Sequence, residues 1–436
     1  MALIPSTFET LVPSRYIAFT IPGHPHRIAV LDSPAAASED AAASTAAMRV
    51  PLGRESDWIF STFSGHLQLL LSSPTSQPLS RLILIGNPQA SPHPISYDYS
   101  TVIPNSAAPP RNLAPLLLAL TPKSATGEIP EPAVFLDYED EVIRSSILEI
   151  CEGPRVGEML IENVELEIDG GKEFRRRLRF KRMPNFIQTQ ISIHPKEESK
   201  LESLDSMEFD LDSNELVQPY LIPMVAGISV LCNFLEDRIV PRALCLGVGG
   251  GALLMFLHTK LSFEVVGVEA DAAVIQVAKR YFGLECNDTI DLIVEDAIKY
   301  VNDLSIDVAE GNKFDVVMVD LDSDDAEFGV CAPPRQFVSE SVFRAINGIL
   351  CDKGALIINV IPLSKLSYQG LISEVGKVFE ELYEIDVGNG ENFVLVATKL
   401  RIESAFDADE CGFLRKLRLV VPGSYLDSIR KIPKTN

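Results

Sequence analysis

The stretch ALCLGVGGGALLMFL (243–257) decides the fold. Four apolar residues lead into Gly247, Gly249, Gly250 and Gly251, and apolar residues then resume. Buried parallel strands read as such short apolar runs. Glycines at their end let the backbone turn sharply into a helix and let a ligand lie against it with no Cβ in the way. The letters Gly247-Val-Gly249-Gly250-Gly251-Ala252 also satisfy G-x-G-x-x-G/A, so the turn alone leaves the nucleotide ligand open.

Downstream the pattern repeats. Strands FEVVGVE (263–269), DLIVED (291–296), FDVVMVD (314–320) and ALIINVI (355–361) alternate with helices expected over 271–283, 297–304, 335–350 and 365–381. Such alternation gives a parallel sheet covered on both faces. YEIDV (383–387), the turn GNGEN (388–392) and FVLVATK (393–399) have no helix between them, so this last pair is antiparallel. Five βα units closed by an antiparallel hairpin is the seven-stranded, Rossmann-like α/β layout of class I methyltransferases. Nicotinamide-binding Rossmann domains generally lack the hairpin.

Upstream the signals weaken. Residues 217–235 are apolar and mostly helix-compatible, which opens the sheet domain at 216–436. The stretch 196–215 carries eight acids among scattered apolar residues and reads as a linker. Alternation in VELEI (164–168), FRRRLRF (174–180) and 186–193 marks an antiparallel meander over 158–195. Residues 1–157 read as a smaller, irregular β-rich region, with loops at 33–48 and at the proline-rich 88–111.

The chemistry gathers at strand ends. Glu269 ends the second strand, 20 residues after Gly249, where an acid accepts hydrogen bonds from ribose hydroxyls. Asp296 ends the third, with Ala297 opening the next helix, and Asp320 ends the fourth, with Asp322, Asp324 and Asp325 close behind. Turn chemistry alone often places Asp at a strand end. Three in succession beside a glycine turn point to one crevice. Carboxylates at this mouth can orient a cationic amine.

Composition narrows the partners. In 436 residues, 61 acids against 38 bases give a net charge of −23, which repels nucleic acid and anionic membranes and attracts cations. No apolar run reaches the roughly 20 residues a membrane helix needs. Seven cysteines, odd in number and without CxxC, suit a reduced cytoplasmic protein without structural zinc, and no metal site is expected. The opening residues show no basic stretch followed by an apolar one, so no leader is expected. G-x-S-x-G, H-E-x-x-H and P-loop motifs are absent, which removes hydrolase and kinase readings.

Residues 240–400 resemble the spermidine-synthase-like branch of class I methyltransferases. Within it they are most similar to the C-terminal catalytic domain of the elongation factor 1-alpha lysine and N-terminal methyltransferases. The resemblance rests on LGVGGGALLMFL (246–257), VVGVEAD (265–271), VAKRYFG (277–283), EDAIKYV (295–301), FDVVMVDLDSDD (314–325), CAPPRQFV (331–338) and GENFVLV (390–396). It extends more weakly to RVPLGRESDWIF (49–60) and to 174–180. It implies S-adenosylmethionine as cofactor, held at Gly247, Gly249, Gly250, Gly251, Glu269, Asp296, Ala297 and Asp320. It also implies methyl transfer to the α-amino group of an elongation factor, with Asp322, Asn392 and Asp320 near the substrate amine. Lysine methylation is not implied, because no second glycine motif is present. The segment 220–227 is short and apolar where related enzymes carry a polar stretch. Aminopropyl transfer to a polyamine is the alternative on the same fold, although DLDSDDAEFG (320–329) lacks the prolines of those enzymes. A non-catalytic scaffold is another.

Overall fold

The computed structural model describes residues 5–21, 25–34, 44–72, 78–100, 113–123, 133–138, 140–196, 203–307, 309–325, 329–402 and 411–433. Three sheets stack along the chain. The first is built from β1 (Tyr16–Thr20), β2 (Arg27–Asp32), β3 (Thr45–Arg49) and β4 (Arg81–Gly86). After β5 (Tyr97–Asp98), which joins the second sheet, comes its last strand, β6 (Val134–Leu136), giving the order β1-β2-β4-β3-β6. β3 overlaps the expected loop 33–48. Its Ala46 and Ala47 are fully buried, so a strand of small residues serves there as core rather than linker. Residues 35–43 and 101–111, also read as loops, lie outside the described residues, and the described part of 88–111 contains the short strand β5, paired with Arg144 and Ser145. Arg81 is itself fully buried and binds the Asp32 carboxylate at 2.6 Å. It also donates to the carbonyls of Phe8 and Leu120, which ties flanking segments to the sheet.

The second sheet holds β7 (Val142–Gly153), β8 (Gly157–Ile168), β9 (Gly171–Phe180), β10 (Met183–Pro195) and β11 (Phe209–Asp212), in the order β11-β10-β9-β8-β7-β5. The meander therefore begins at Val142, well before 158. The acidic stretch 196–215 is not simply a linker either. Phe209 and Leu211 alternate with acids, and β11 pairs antiparallel with the end of β10.

The third sheet contains β12 (Arg242–Leu246), β13 (Glu264–Glu269), β14 (Ile290–Val294) and β15 (Phe314–Val319). A short ribbon of β16 (Ser323–Asp325) and β17 (Gly329–Cys331) follows, then β18 (Leu350–Val360), β19 (Glu381–Asp386), β20 (Phe393–Thr398) and β21 (Arg430–Ile432). The order is β14-β13-β12-β15-β18-β20-β19-β21, with β20 antiparallel between β18 and β19. This is the expected α/β sheet and hairpin, extended to eight strands by β21 on the β19 edge. The helix expected from 335 starts at Glu340, where the Ser339 hydroxyl accepts the Val342 N–H. Met159, Ile161, Leu178 and Ile191 of the second sheet share one core with Met224, Leu254 and Ile357 of the sheet domain. Among the described residues no helix is long and apolar enough to cross a membrane.

Candidate functional site

Register builds the site. Leu246 pairs with Val268 on one side and Val319 on the other, and Val319 pairs with Ile358. One residue further along, the chain therefore sets Gly247, Glu269, Asp320 and Asn359 side by side at the carboxyl edge. This is where open α/β sheets hold ligands. Val360 pairs with Phe393, which brings Asn392 to the same edge.

The glycine turn is tightly held. Gly247 (φ 90°), Gly249 (φ 52°) and Gly251 (φ 85°) are left-handed, a conformation glycine adopts without strain. A Cβ at Gly247 would lie 2.1 Å from the Asp320 carbonyl oxygen. On its other side the turn meets β10, since the Gly250 N–H donates to Thr189 Oγ1 at 2.8 Å. Part of the glycine requirement thus comes from this chain's own packing.

Glu269 accepts the N–H groups of Val248 and Asp271, both at 3.2 Å, and so braces the turn. Burial raises its carboxyl above the ordinary range, against those backbone donors, which lower it. Asp296 caps the helix Ala297–Ile306 through Oδ1, which accepts the Lys299 N–H at 3.0 Å. Its Oδ2 takes no hydrogen bond from the described residues.

Asp320 sits at the centre of a polar line that the sequence reading did not contain. Tyr220 donates its hydroxyl to Oδ2, and Asn359 donates Nδ2 to Oδ1, each at 3.0 Å. Asn392 donates to Asn359 Oδ1 at 2.9 Å and accepts from Asn389 at 2.8 Å. At the other end Gln218 donates to the Tyr220 hydroxyl at 3.1 Å and to the Ile187 carbonyl at 2.8 Å. Gln218, Tyr220, Asn359 and Asn392 are all buried. Buried polar groups of this kind persist only when bonded to one another. Burial pushes the Asp320 carboxyl up to about 6; Asn359 and Tyr220 pull it down and the Asp322 charge pushes it up.

Asp322 is placed differently from Asp320. Arg182, in the turn between β9 and β10, binds its Oδ1 at 3.0 Å. The side chains of Asp324 and Asp325 lie outside the described residues. Of the expected residues, the fold thus brings Asp320 and Asn392 together through Asn359 and sets Glu269 and Asp296 at neighbouring strand ends. Tyr220, in the segment read as merely apolar, turns its hydroxyl into the site. Asn359 had a visible signal, being a lone amide inside the apolar ALIINVI.

The strand order, with an antiparallel strand inserted before the edge, together with the glycine turn and its acids, fixes the fold as that of class I methyltransferases. Residues 241–380 match the spermine/spermidine synthase domain. Around this synthase-type domain the similarity is broader. The eEF1A lysine and N-terminal methyltransferase homolog of Drosophila melanogaster is 26% identical over 411 residues, covering 86% of this chain and 56% of the relative. The human eEF1A lysine and N-terminal methyltransferase is 26% identical over 354 residues, covering 77% and 48%. The chain therefore spans about half the length of these relatives. The crystal structure of human methyltransferase-like protein 13 in complex with SAH is 24% identical, covering 50% of this chain and 95% of that one, with a TM-score of 0.41.

Proposed function

We propose that this chain is an S-adenosylmethionine-dependent methyltransferase of the cytoplasm that acts on the α-amino group of a protein, a translation elongation factor. The carrying observation is the buried line from Gln218 through Tyr220, Asp320 and Asn359 to Asn392, which ends at the edge where the glycine turn lies. Four buried polar side chains joined in series through the half-buried Asp320 carboxylate are more than a sheet edge needs for its own pairing.

The residues present fit the donor. The left-handed glycines form a turn without side chains, and Glu269 and Asp296 stand at successive strand ends as acceptors. When bound, S-adenosylmethionine supplies an activated methyl group and its own leaving group. Glu269 would accept from the ribose hydroxyls, and Asp296 with Ala297 would hold the adenine end. Gly247, Gly249, Gly250 and Gly251 let the donor approach the backbone.

The chain's remaining task is to hold an amine neutral and aimed. An α-amine ordinarily titrates at about 7.7–8.0, so a sizeable neutral fraction exists near neutral pH without a strong base. Asp322 keeps Oδ2 for one amine hydrogen, and Asn392 keeps a lone pair of Oδ1 for another. Asp320, ionised above about 6, fixes Asn359 and so the amide of Asn392.

The match to the spermine/spermidine synthase domain favours a second reading, aminopropyl transfer to a polyamine. Calorimetric titration with S-adenosylhomocysteine and with decarboxylated S-adenosylmethionine separates the two. Preference for the first is the expected result and leads to elongation factor with free and blocked N-termini as substrates. Preference for the second moves the activity to polyamines, and binding of neither leaves a scaffold.

A further inference from the structure

The second sheet has two faces, and only one of them serves the site described above. Met159, Ile161, Leu178 and Ile191 face the sheet domain. The alternate residues of β8 and β9, Glu162, Arg177 and Arg179 among them, face the N-terminal unit, with Glu162 directly opposite Arg177. Between this second face and the N-terminal unit lies a cavity of about 350 Å3. Its walls carry three arginines (Arg54, Arg177 and Arg179), two tyrosines (Tyr97 and Tyr138) and the carboxylates of Asp140, Glu141 and Glu162. That volume falls within the range of small-ligand pockets, roughly 300–1,000 Å3.

Two of the three arginines are already matched. Arg54 binds Asp57 at 3.1 Å and Asp140 at 2.5 Å. Arg179 binds Glu162 at 2.8 Å and Asp57 at 3.1 Å. The other oxygen of Glu162 accepts the Ser145 hydroxyl at 2.5 Å, so the carboxylate opposite Arg177 is committed elsewhere. Arg177 keeps one long bond, from Nε to Gln190 Oε1 at 3.3 Å, and among the described residues no carboxylate pairs with it. Arg177 is half-buried, with the Glu162 charge near it but no carboxylate in contact, so its fork keeps N–H groups for a further acceptor, and burial lowers its hold on its proton. Planar guanidinium beside phenol rings is a setting that recognises an anionic group attached to a flat or apolar body.

We propose that this cavity is a second binding site, separate from the glycine turn, which takes a small ligand through a carboxylate or phosphate paired with Arg177 while its body lies against Tyr97 and Tyr138. The proposal does not depend on methyl transfer, because the cavity and the glycine turn lie on opposite faces of the β8–β10 strands. The net charge of −23 helps the test, since the surface at large repels anions and a saturable anion response identifies a built site.

The full chain is titrated with inorganic phosphate and with succinate at ionic strength matched by chloride, following the thermal midpoint and the heat of binding. A saturable response to at least one anion is expected. Response to phosphate alone marks a phosphorylated ligand, to succinate alone a carboxylate, and to both a site that reads charge. Arg177→Gln should weaken the response at least about tenfold, the loss of a charge-assisted pair. Arg177→Lys, which keeps the charge but not the fork, should weaken it less and serves if the Gln variant does not fold. Thermal midpoints in chloride alone confirm that each variant is folded. No saturable response to either anion, or an undiminished response in the folded variants, overturns the proposal.

Discussion

Asp320 combines two demands that pull apart. It must lie deep enough to hold Asn359, yet its depth raises its carboxyl to about 6, above the 3.8 of an exposed Asp. The folded chain therefore binds this proton more tightly than the unfolded chain does. Its contribution to stability is greatest below about pH 4, declines as pH rises to about 6, and is flat above. Activity should follow the opposite course, rising as Asp320 ionises. Tyr220→Phe removes a hydrogen bond that favours the ionised form, so the acid limb of the pH–rate profile should move upward. An unmoved limb would assign that limb to another group. Asp322→Ala and Asn392→Ala should lose turnover while S-adenosylhomocysteine affinity stays, and Glu269→Ala should weaken that affinity by about 1–3 kcal/mol. Unchanged turnover in the first two would remove them from the mechanism. Asp320 and the glycines were legible because strand ends and turns have local signatures, whereas Asn392 came only from the family resemblance. Tyr220 was not, because its role depends on which strand end its helix crosses.

Strands and their partners explain why other parts were harder to read. The parallel sheet repeats one rule, an apolar strand followed by an amphipathic helix, and its element order could be read directly. β7 escaped because its alternation is broken by two register shifts in its pairing with β8. β11 escaped because it is a four-residue edge strand in which Leu211 is exposed like its neighbour Asp210, so only two apolar residues betray it. β3 escaped because alanines carry little strand propensity, and only burial on both faces makes them fit. In the same N-terminal sheet, Arg81 joins elements distant in sequence. Arg81→Ala should cost about 3–5 kcal/mol, since it leaves Asp32 buried with Arg15 as its remaining ion-pair partner. Urea unfolding measures this directly; a loss below about 1 kcal/mol would show that Arg15 alone neutralises Asp32.

Across the whole molecule, buried titrating groups set the response to acid. His66 is fully buried, its Nε2 bonded to the Phe60 carbonyl at 2.6 Å, and burial pushes its imidazole down to about 4. The unfolded chain takes up this proton first, near 6.5, so stability should fall by up to about 3 kcal/mol between pH 6.5 and 4. Asp320 offsets part of that fall with its opposite sign. Asp57, which Arg179 and Arg54 hold at about 2 despite its burial, adds a further loss from about pH 4 downward. His66→Gln keeps a donor for Phe60 and should flatten the upper segment of the curve; an identical slope would assign it to other groups. The common core of the second and third sheets has a further consequence, for dissection of the chain. A fragment starting at residue 216 leaves behind the strands that carry Met159, Ile161, Leu178 and Ile191. It would present a bare greasy wall to water, and should bind a hydrophobic dye and precipitate, whereas one starting at residue 142 should stay in solution. The piece expected to fold by itself is thus larger than the stretch 241–380 that matches the synthase domain.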